Sequence, residues 1–152
     1  MAQTGNGADS ASLDPGLERL FVYGSLKRGM ANHQQLATAV ALGAAQLQGL
    51  ALYDLGPFPM AIASGDRGHT LHGELYGIPA LLLPGLDRFE GVPRLYRRVR
   101  WPLAGGDRVW VYIGHPRQVR FVPRLEDGQW RPKPRLKVLQ QAEGIAEPRC
   151  RN

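Results

Sequence analysis

Apolar residues along the chain fall in short runs, and several of these runs alternate with polar or small residues in steps of two. This spacing is typical of strands that bury one face. It predicts strands at Leu20–Tyr23, Ala44–Leu55, Thr70–Ile78, Tyr96–Pro102 and Arg108–Ile113. The run GPFPM at 56–60 contains two prolines and one glycine, which predicts a loop.

Two segments have the spacing and composition of short helices. The first, Ala31–Ala41, is rich in Ala and Gln and places Leu36 and Val40 on one face. The second, Ala80–Phe89, follows Pro79, a residue that favours a helix start. Strands therefore predominate, with one or two helices covering an open end, and the fold class predicted is α+β.

The length of 152 residues predicts one domain with a substantial core. Residues 1–17 are small and polar with Gly and Pro, and we predict that they are disordered. We place the globular domain at 18–130. Residues 131–152 form a basic, proline-containing segment with little to bury, which predicts a peripheral tail.

The location of the protein is predicted from three features of the sequence. No apolar run approaches the ~20 residues that span a bilayer. The first residues lack the basic and apolar regions of a secretory signal. The single cysteine, Cys150, cannot form an internal disulfide. Together these features predict a cytoplasmic protein with no membrane partner.

The formal charge of +6 fits a nucleic-acid ligand, an anionic substrate or a solvated basic surface. Basic residues concentrate at 94–100 and 131–137. Nucleic-acid modules usually interleave aromatic residues for stacking or carry a recognisable motif, and this chain shows neither. The sequence therefore favours a solvated surface and predicts no nucleic-acid partner.

The segment YGSLKRG, Tyr23 to Gly29, predicts a strand that breaks into a glycine-bearing loop at Gly24. Such a turn can aim several backbone N–H groups at one point and so bind a carboxylate or an oxyanion. The loop lacks the Lys-Ser/Thr pair of a phosphate-binding P-loop. Ser25 is not surrounded by a Gly-x-Ser-x-Gly elbow, so the sequence gives no support for a serine nucleophile. Tyr23 is either a core residue or the edge of a pocket.

Glu90 is the candidate acid/base. If the second helix forms, Glu90 lies in its last turn and Gly91 caps it. The negative end of the helix dipole and burial against Phe89 and Leu86 would both raise the pKa of this carboxyl, as general acid/base catalysis requires. The alternative is a solvent-facing glutamate at a helix end. Asp87 either raises the pKa of Glu90 by like-charge repulsion or pairs with Arg88 or Arg97, and pairing is favoured.

A metal site is not predicted. The four histidines, His33, His69, His72 and His115, show neither paired metal-ligand spacing nor a neighbouring cysteine cluster.

At these residues the chain resembles the gamma-glutamylcyclotransferase-like family, in particular its gamma-glutamylamine cyclotransferase-like branch. The resemblance rests on the order and spacing of several motifs across residues 19 to 130. The motifs are FVYGSLKRG at 21–29, GLALY at 49–53, Phe58-Pro59, HGELY at 72–76, LDRFEG at 86–91, Tyr96-Arg97-Arg98, the strand 109–112 and DGQW at 127–130. Ser25-Leu26-Lys27 follows the amine branch rather than the Ser-Asn-Leu of the glutathione-pathway branch.

The resemblance implies a small mixed β-barrel with short flanking helices and a cavity between the loop and the acid. It implies that Tyr23, Gly24, Ser25 and Leu26 hold the glutamyl carboxylate, chiefly through backbone donors. Glu90 would be the acid/base and Tyr96 would line the pocket.

The reaction implied is an intramolecular acyl transfer that releases 5-oxoproline and a free amine from a small-molecule gamma-glutamyl substrate. It requires no metal or organic cofactor. A non-catalytic module of the same fold that binds small anions is the alternative. The identity of the leaving amine and the oligomeric state stay open.

Overall fold

The computed structural model describes residues 16–132, in which eight strands, one α-helix and three short 3₁₀ helices are formed. The 3₁₀ helices are His33–Leu36, Ala80–Leu82 and Pro116–Val119. The α-helix, α1, is Leu83–Phe89. The strands are β1 Leu17–Val22, β2 Val40–Gln48, β3 Leu50–Asp54, β4 Pro59–Ala63, β5 Thr70–Pro79, β6 Arg97–Pro102, β7 Arg108–Ile113 and β8 Arg124–Leu125.

The larger sheet has five strands in the order β2-β5-β1-β7-β6. Strand β1 lies at its centre, antiparallel to β5 and parallel to β7, with Leu20 opposite both Tyr76 and Trp110. Its apolar residues are buried on both faces: Leu20 and Val22 pack in one core cluster, and Phe21 and Tyr23 in the other. A central strand covered on both sides explains the unbroken apolar run Leu20–Tyr23.

The smaller sheet has three strands in the order β4-β3-β8. We predicted one strand at Ala44–Leu55, but the structure divides this segment at Gly49 into β2 and β3, which belong to different sheets. Gly49 has φ +86°, a conformation that side chains disfavour, so it lets the chain turn from one sheet to the other.

Strand β4 corrects the predicted loop at 56–60. Met60 and Ala61 are completely buried, and β4 pairs with β3 along its whole length. Pro59 has no N–H to donate, but it is the first residue of the strand, where a proline is tolerated. Burial of Met60 therefore outweighs the turn signal of the two prolines.

The first predicted helix, Ala31–Ala41, is also wrong in extent. Only His33–Leu36 is helical, as a 3₁₀ turn, and β2 begins at Val40. Leu36 is the one buried side chain of that turn, which is too little apolar contact to stabilise a longer helix. The second predicted helix is confirmed: a 3₁₀ turn leads into α1, and Leu83 and Leu86 face the core.

The mixed α+β class is confirmed. The predicted closed barrel is not, because within residues 16–132 the strands form two separate ladders. Strand β1 begins at Leu17, the last residue of the segment 1–17 for which disorder is predicted, and residues 1–15 of that segment lie outside the described part of the chain. Residues 133–152 of the predicted tail lie outside it as well. No helix within 16–132 is long and apolar enough to cross a bilayer.

Candidate active site

A cavity of about 440 Å³ opens where the loop after β1 meets the start of β4 and the end of α1. Its volume falls in the usual range for small-molecule sites. All six residues proposed for the site from the sequence line this cavity: Tyr23, Gly24, Ser25, Leu26, Glu90 and Tyr96. Segments nearly seventy positions apart in the chain therefore share one pocket.

The loop after β1 is held in place by hydrogen bonds to its own backbone and to the turn that follows it. The backbone N–H of Asn32 donates to the carbonyl of Ser25 at 2.9 Å, and the Asn32 amide donates to the Ser25 hydroxyl at 2.8 Å. Lys27 N–H donates to the carbonyl of Gly24 at 3.1 Å. A Cβ at Gly24 would lie 2.9 Å from Cγ of Pro59, so only glycine allows this approach between the loop and β4.

Two amide groups of this loop have no partner within residues 16–132. The backbone N–H groups of Ser25 and Leu26 donate no hydrogen bond to any described residue, although both residues line the cavity. Adjacent backbone donors at a cavity wall that have no partner among the described residues can both donate to one bound acceptor. A carboxylate is the acceptor with the most favourable charge.

Glu90 is placed by the way α1 ends. The N–H of Val92 donates to the carbonyl of Asp87 at 3.0 Å, and the N–H of Gly91 donates to the carbonyl of Arg88 at 3.1 Å. These two bonds form a Schellman motif, in which Gly91 adopts φ +71°. Glu90 is thus the C-cap residue, and Gly91 is the helix-terminating glycine that the sequence predicts.

The cavity changes the acidity of Glu90. Burial raises the pKa of its carboxyl to about 7, well above the ordinary value of 4.5. Among the described residues that line the cavity, Glu90 has the only charged side chain. Burial and, to a smaller extent, the charge of Glu90 raise the pKa of Tyr96, so that this phenol stays neutral. The predicted direction of the Glu90 shift is confirmed, and its physical cause is burial.

Asp87 is paired, but with a different arginine from those considered in the sequence. Its two carboxylate oxygens accept hydrogen bonds from Nε and Nη2 of Arg98, at 2.7 and 3.0 Å. The hydroxyl of Tyr112 donates to the same carboxylate at 2.7 Å. The Arg98 hydrogen bond holds the pKa of Asp87 below its usual range. This arrangement fastens α1 to β6 and β7. It keeps Asp87 ionised in an ion pair with Arg98, so that Asp87 has no proton to donate as a second acid.

The hydroxyl groups of Tyr23 and Tyr96 are already used by the backbone. Tyr23 donates to the carbonyl of Tyr112 at 2.6 Å and accepts from the N–H of Ala61 at 3.0 Å. Tyr96 donates to the carbonyl of Pro59. Both tyrosines therefore present their rings to the cavity, while their hydroxyls connect neighbouring strands.

Sequence reasoning missed three large side chains on the cavity wall: Phe58, Tyr112 and Trp130. For Tyr112 a signal was present, because β7 alternates apolar residues and places Trp110 and Tyr112 on one face. Trp130, the last residue of the predicted domain 18–130, is buried, and Pro132 in the predicted tail also lines the cavity.

We expect Tyr23→Phe to lower the free energy of unfolding by about 1–3 kcal/mol, because it leaves the Ala61 N–H and the Tyr112 carbonyl without their buried partner. The KM for substrate should stay within a factor of about two. Urea unfolding and steady-state kinetics on the same preparation measure both quantities. A large rise in KM without a loss of stability would show that the hydroxyl binds substrate directly.

Within residues 16–132 no group of three or more His, Cys, Asp or Glu side chains is arranged to hold a metal ion. His33 Nδ1 lies 2.9 Å from the carbonyl oxygen of Leu26, and His72 lines a separate hollow.

Comparison with known proteins identifies the family. The profile of the family described as "Gamma-glutamyl cyclotransferase, AIG2-like" matches residues 20–132. The gamma-glutamylaminecyclotransferase of Bos taurus is 36% identical over 128 residues, covering 73% of this chain and 75% of its own. The solution structure of ytfP from Escherichia coli is 33% identical, with a TM-score of 0.58 and coverage of 74% and 95% of the two chains.

A crystal structure of an AIG2-like protein from Mus musculus has the same fold. It superposes with a TM-score of 0.61 at 23% identity, covering 79% of this chain and 99% of its own. With the profile match spanning most of the chain and a relative above one-third identity, this protein belongs to the gamma-glutamyl cyclotransferase, AIG2-like family of enzymes.

Proposed function

We propose that this protein catalyses intramolecular acyl transfer on a gamma-glutamyl amine, releasing 5-oxoproline and a free amine. The observation that carries the proposal is a single carboxyl with a pKa near neutrality on the same cavity as two unpaired amide donors. The family to which the chain belongs supports this type of reaction.

The free α-amine of the substrate attacks the side-chain carbonyl, and a five-membered lactam closes. Glu90 accepts the proton that the attacking amine loses and donates it to the leaving nitrogen as the original C–N bond breaks. Because the attack is intramolecular, holding the substrate in a folded conformation lowers the barrier strongly, with effective molarities of about 10⁵ M or more. One carboxyl with a pKa near 7 is suited to both proton transfers at neutral pH.

The loop supplies the binding position for the substrate α-carboxylate. The free N–H groups of Ser25 and Leu26 donate to it, and Gly24 keeps the loop against Pro59. The rings of Tyr23 and Tyr96 form the wall on which the glutamyl chain folds. Backbone donors bind a carboxylate without placing a second charged side chain beside Glu90.

The alternative, a non-catalytic module for small anions, is less well supported because a site that only binds anions gains nothing from a carboxyl on its wall, whereas the proposed reaction uses Glu90 for proton transfer. Incubation of the protein with a panel of gamma-glutamyl amines, with detection of 5-oxoproline, separates the two. Release of 5-oxoproline at a rate proportional to enzyme concentration supports the proposal. Binding of the panel without any release favours the alternative.

The pH dependence of kcat/KM should show an inflection near pH 7. Glu90 must be ionised to accept the first proton, so kcat/KM is expected to rise with pH through about 7, where an ordinary glutamate would give an inflection near 4.5. A profile that extends from about pH 4 to about pH 9 on a saturable substrate checks this. An inflection near 4.5 would show that the pKa of the catalytic carboxyl is not raised in the cavity.

The raised pKa of Glu90 also lowers the free energy of unfolding at neutral and alkaline pH. Between pH 4.5 and about 7 the unfolded chain ionises at Glu90 while the folded protein keeps the proton, so stability falls as pH rises and the full penalty is present above 7. Glu90→Gln should therefore raise the melting temperature relative to the wild type at pH 8 but leave it unchanged at pH 4.

A further inference from the structure

The side of the cavity next to Glu90 is apolar. Phe89 directly precedes Glu90, and Leu95 directly precedes Tyr96, and both side chains line the cavity. Phe58 adds an aromatic ring 6.2 Å from that of Tyr96. The leaving nitrogen must lie beside Glu90 to receive its proton, so whatever this nitrogen carries lies against these apolar side chains.

The described wall offers no positive charge to a leaving group. No lysine, arginine or histidine is among the described residues that line the cavity. Two cations near it are already directed elsewhere: the Lys27 ammonium donates to the carbonyl of Trp130 at 3.1 Å, and Arg98 is paired with Asp87. A carboxylate on the leaving amine would therefore lose water without gaining a cationic partner among the lining residues of 16–132.

Two of these apolar side chains are partly exposed. Phe89 is 41% exposed and Leu95 is 38% exposed, although both lie at the edge of a pocket. An apolar group bound beside Glu90 would cover them, and the free energy gained increases with each methylene buried. Among the described lining residues, a second ammonium at this position would find Glu90 as its one charged partner, and Glu90 is needed for proton transfer.

We propose that the physiological leaving group is an uncharged, apolar primary amine, such as an alkylamine or arylalkylamine, rather than an amino acid or a polyamine. This inference rests on the proposed function and specifies its substrate class. It assigns Phe58, Phe89 and Leu95 as the residues that determine leaving-group specificity.

Three substrates of matched length test the charge preference: gamma-glutamyl butylamine, gamma-glutamyl 4-aminobutyrate and gamma-glutamyl putrescine. They share a four-carbon leaving chain that ends in a methyl group, a carboxylate or an ammonium group. We expect kcat/KM for the butylamine substrate to exceed that for each charged substrate by at least about tenfold. Lengthening the alkyl chain from butyl to hexyl should raise kcat/KM by about two- to fourfold per methylene.

A variant with a new cation gives an independent test. Leu95→Lys should lower kcat/KM for the butylamine substrate and raise it for the 4-aminobutyrate substrate, reducing their ratio at least about fivefold. Leu81→Lys is the matched control, because Leu81 is 91% exposed and outside the cavity, and it should leave the ratio unchanged. The partly exposed position of Leu95 makes the lysine variant compatible with folding.

The outcomes separate this inference from the proposed function. If 5-oxoproline is released fastest from a charged substrate, the apolar specificity is wrong and the reaction stands. If the enzyme releases 5-oxoproline from none of the three substrates and from no member of the wider gamma-glutamyl panel, the reaction itself is wrong, and the specificity inference is overturned with it.

Discussion

Glu90→Gln should lower kcat at least about 10²-fold while KM changes little. Glutamine keeps the shape and much of the hydrogen-bonding capacity of the side chain, but it cannot take up or return the proton. A general acid/base contributes about 10²–10⁴-fold to the rate, so the lower limit is a conservative expectation. Steady-state release of 5-oxoproline measures the loss, and isothermal titration with substrate shows that binding is retained.

Two control variants show whether the loss of activity in Glu90→Gln is specific to this carboxyl. Glu126→Gln removes an equally charged carboxylate that is 84% exposed and lies outside the cavity, and it should leave kcat unchanged. Ser25→Ala removes a hydroxyl that accepts a hydrogen bond from Asn32 but leaves the backbone donors in place, so its effect should be smaller than that of Glu90→Gln. Loss of turnover in Ser25→Ala with full activity in Glu90→Gln would instead indicate a serine acyl-enzyme.

Gly128→Ala should lower the free energy of unfolding by about 2–5 kcal/mol. A Cβ at this position would lie 1.9 Å from the carbonyl oxygen of Thr70, which is backbone in β5 and cannot move aside. Gly128 also has φ +68°, which costs about 1–2 kcal/mol with a side chain, and overpacking adds about 1–3 kcal/mol. Trp130 lies two residues after Gly128 and lines the cavity. A displacement of the backbone at residue 128 should therefore also weaken substrate binding and raise KM. Urea unfolding and substrate kinetics measure the two effects.

Two other glycines separate the causes of this destabilisation. Gly106 has φ +101° with no atom within 4 Å of an added Cβ, so Gly106→Ala should show only the conformational cost of about 1–2 kcal/mol. Gly105 has open space and no positive φ, and Gly105→Ala should change stability by no more than about 0.5 kcal/mol. Equal losses in Gly128→Ala and Gly106→Ala would mean that the close approach to Thr70 does not affect stability.

The candidate site was largely predictable because its residues lie in contiguous segments of the sequence. The strand, its terminating glycine and the loop occupy consecutive positions from Leu20 to Leu26, and Glu90-Gly91 is a local helix-end signal. Local sequence patterns identified β5, β7 and α1, and for α1 the signal was the helix start at Pro79. The convergence of the loop and the acid on one cavity followed from the resemblance and not from local pattern.

The features that sequence reasoning missed depend on tertiary contacts. The pairing of Asp87 with Arg98 depends on how α1 packs against β6, which no spacing along the chain encodes. Strand β4 forms at a proline-rich segment because burial of Met60 against the rest of the core exceeds the local preference for a turn. The division of β2 from β3 depends on a single glycine in a run that otherwise alternates as one strand.

The central position of β1 has a consequence for the order of folding. Its two neighbours, β5 and β7, come much later in the chain, whereas β3–β4 and β6–β7 are pairs of consecutive strands. Closing the long loops that bring β1 into the sheet is entropically costly and slows folding. During synthesis, the apolar run Leu20–Tyr23 leaves the ribosome before the other described strands and stays without a strand partner until β5 has emerged. The nascent chain therefore exposes this run, which is buried in the folded protein, and the cavity is completed only when Trp130 has been added.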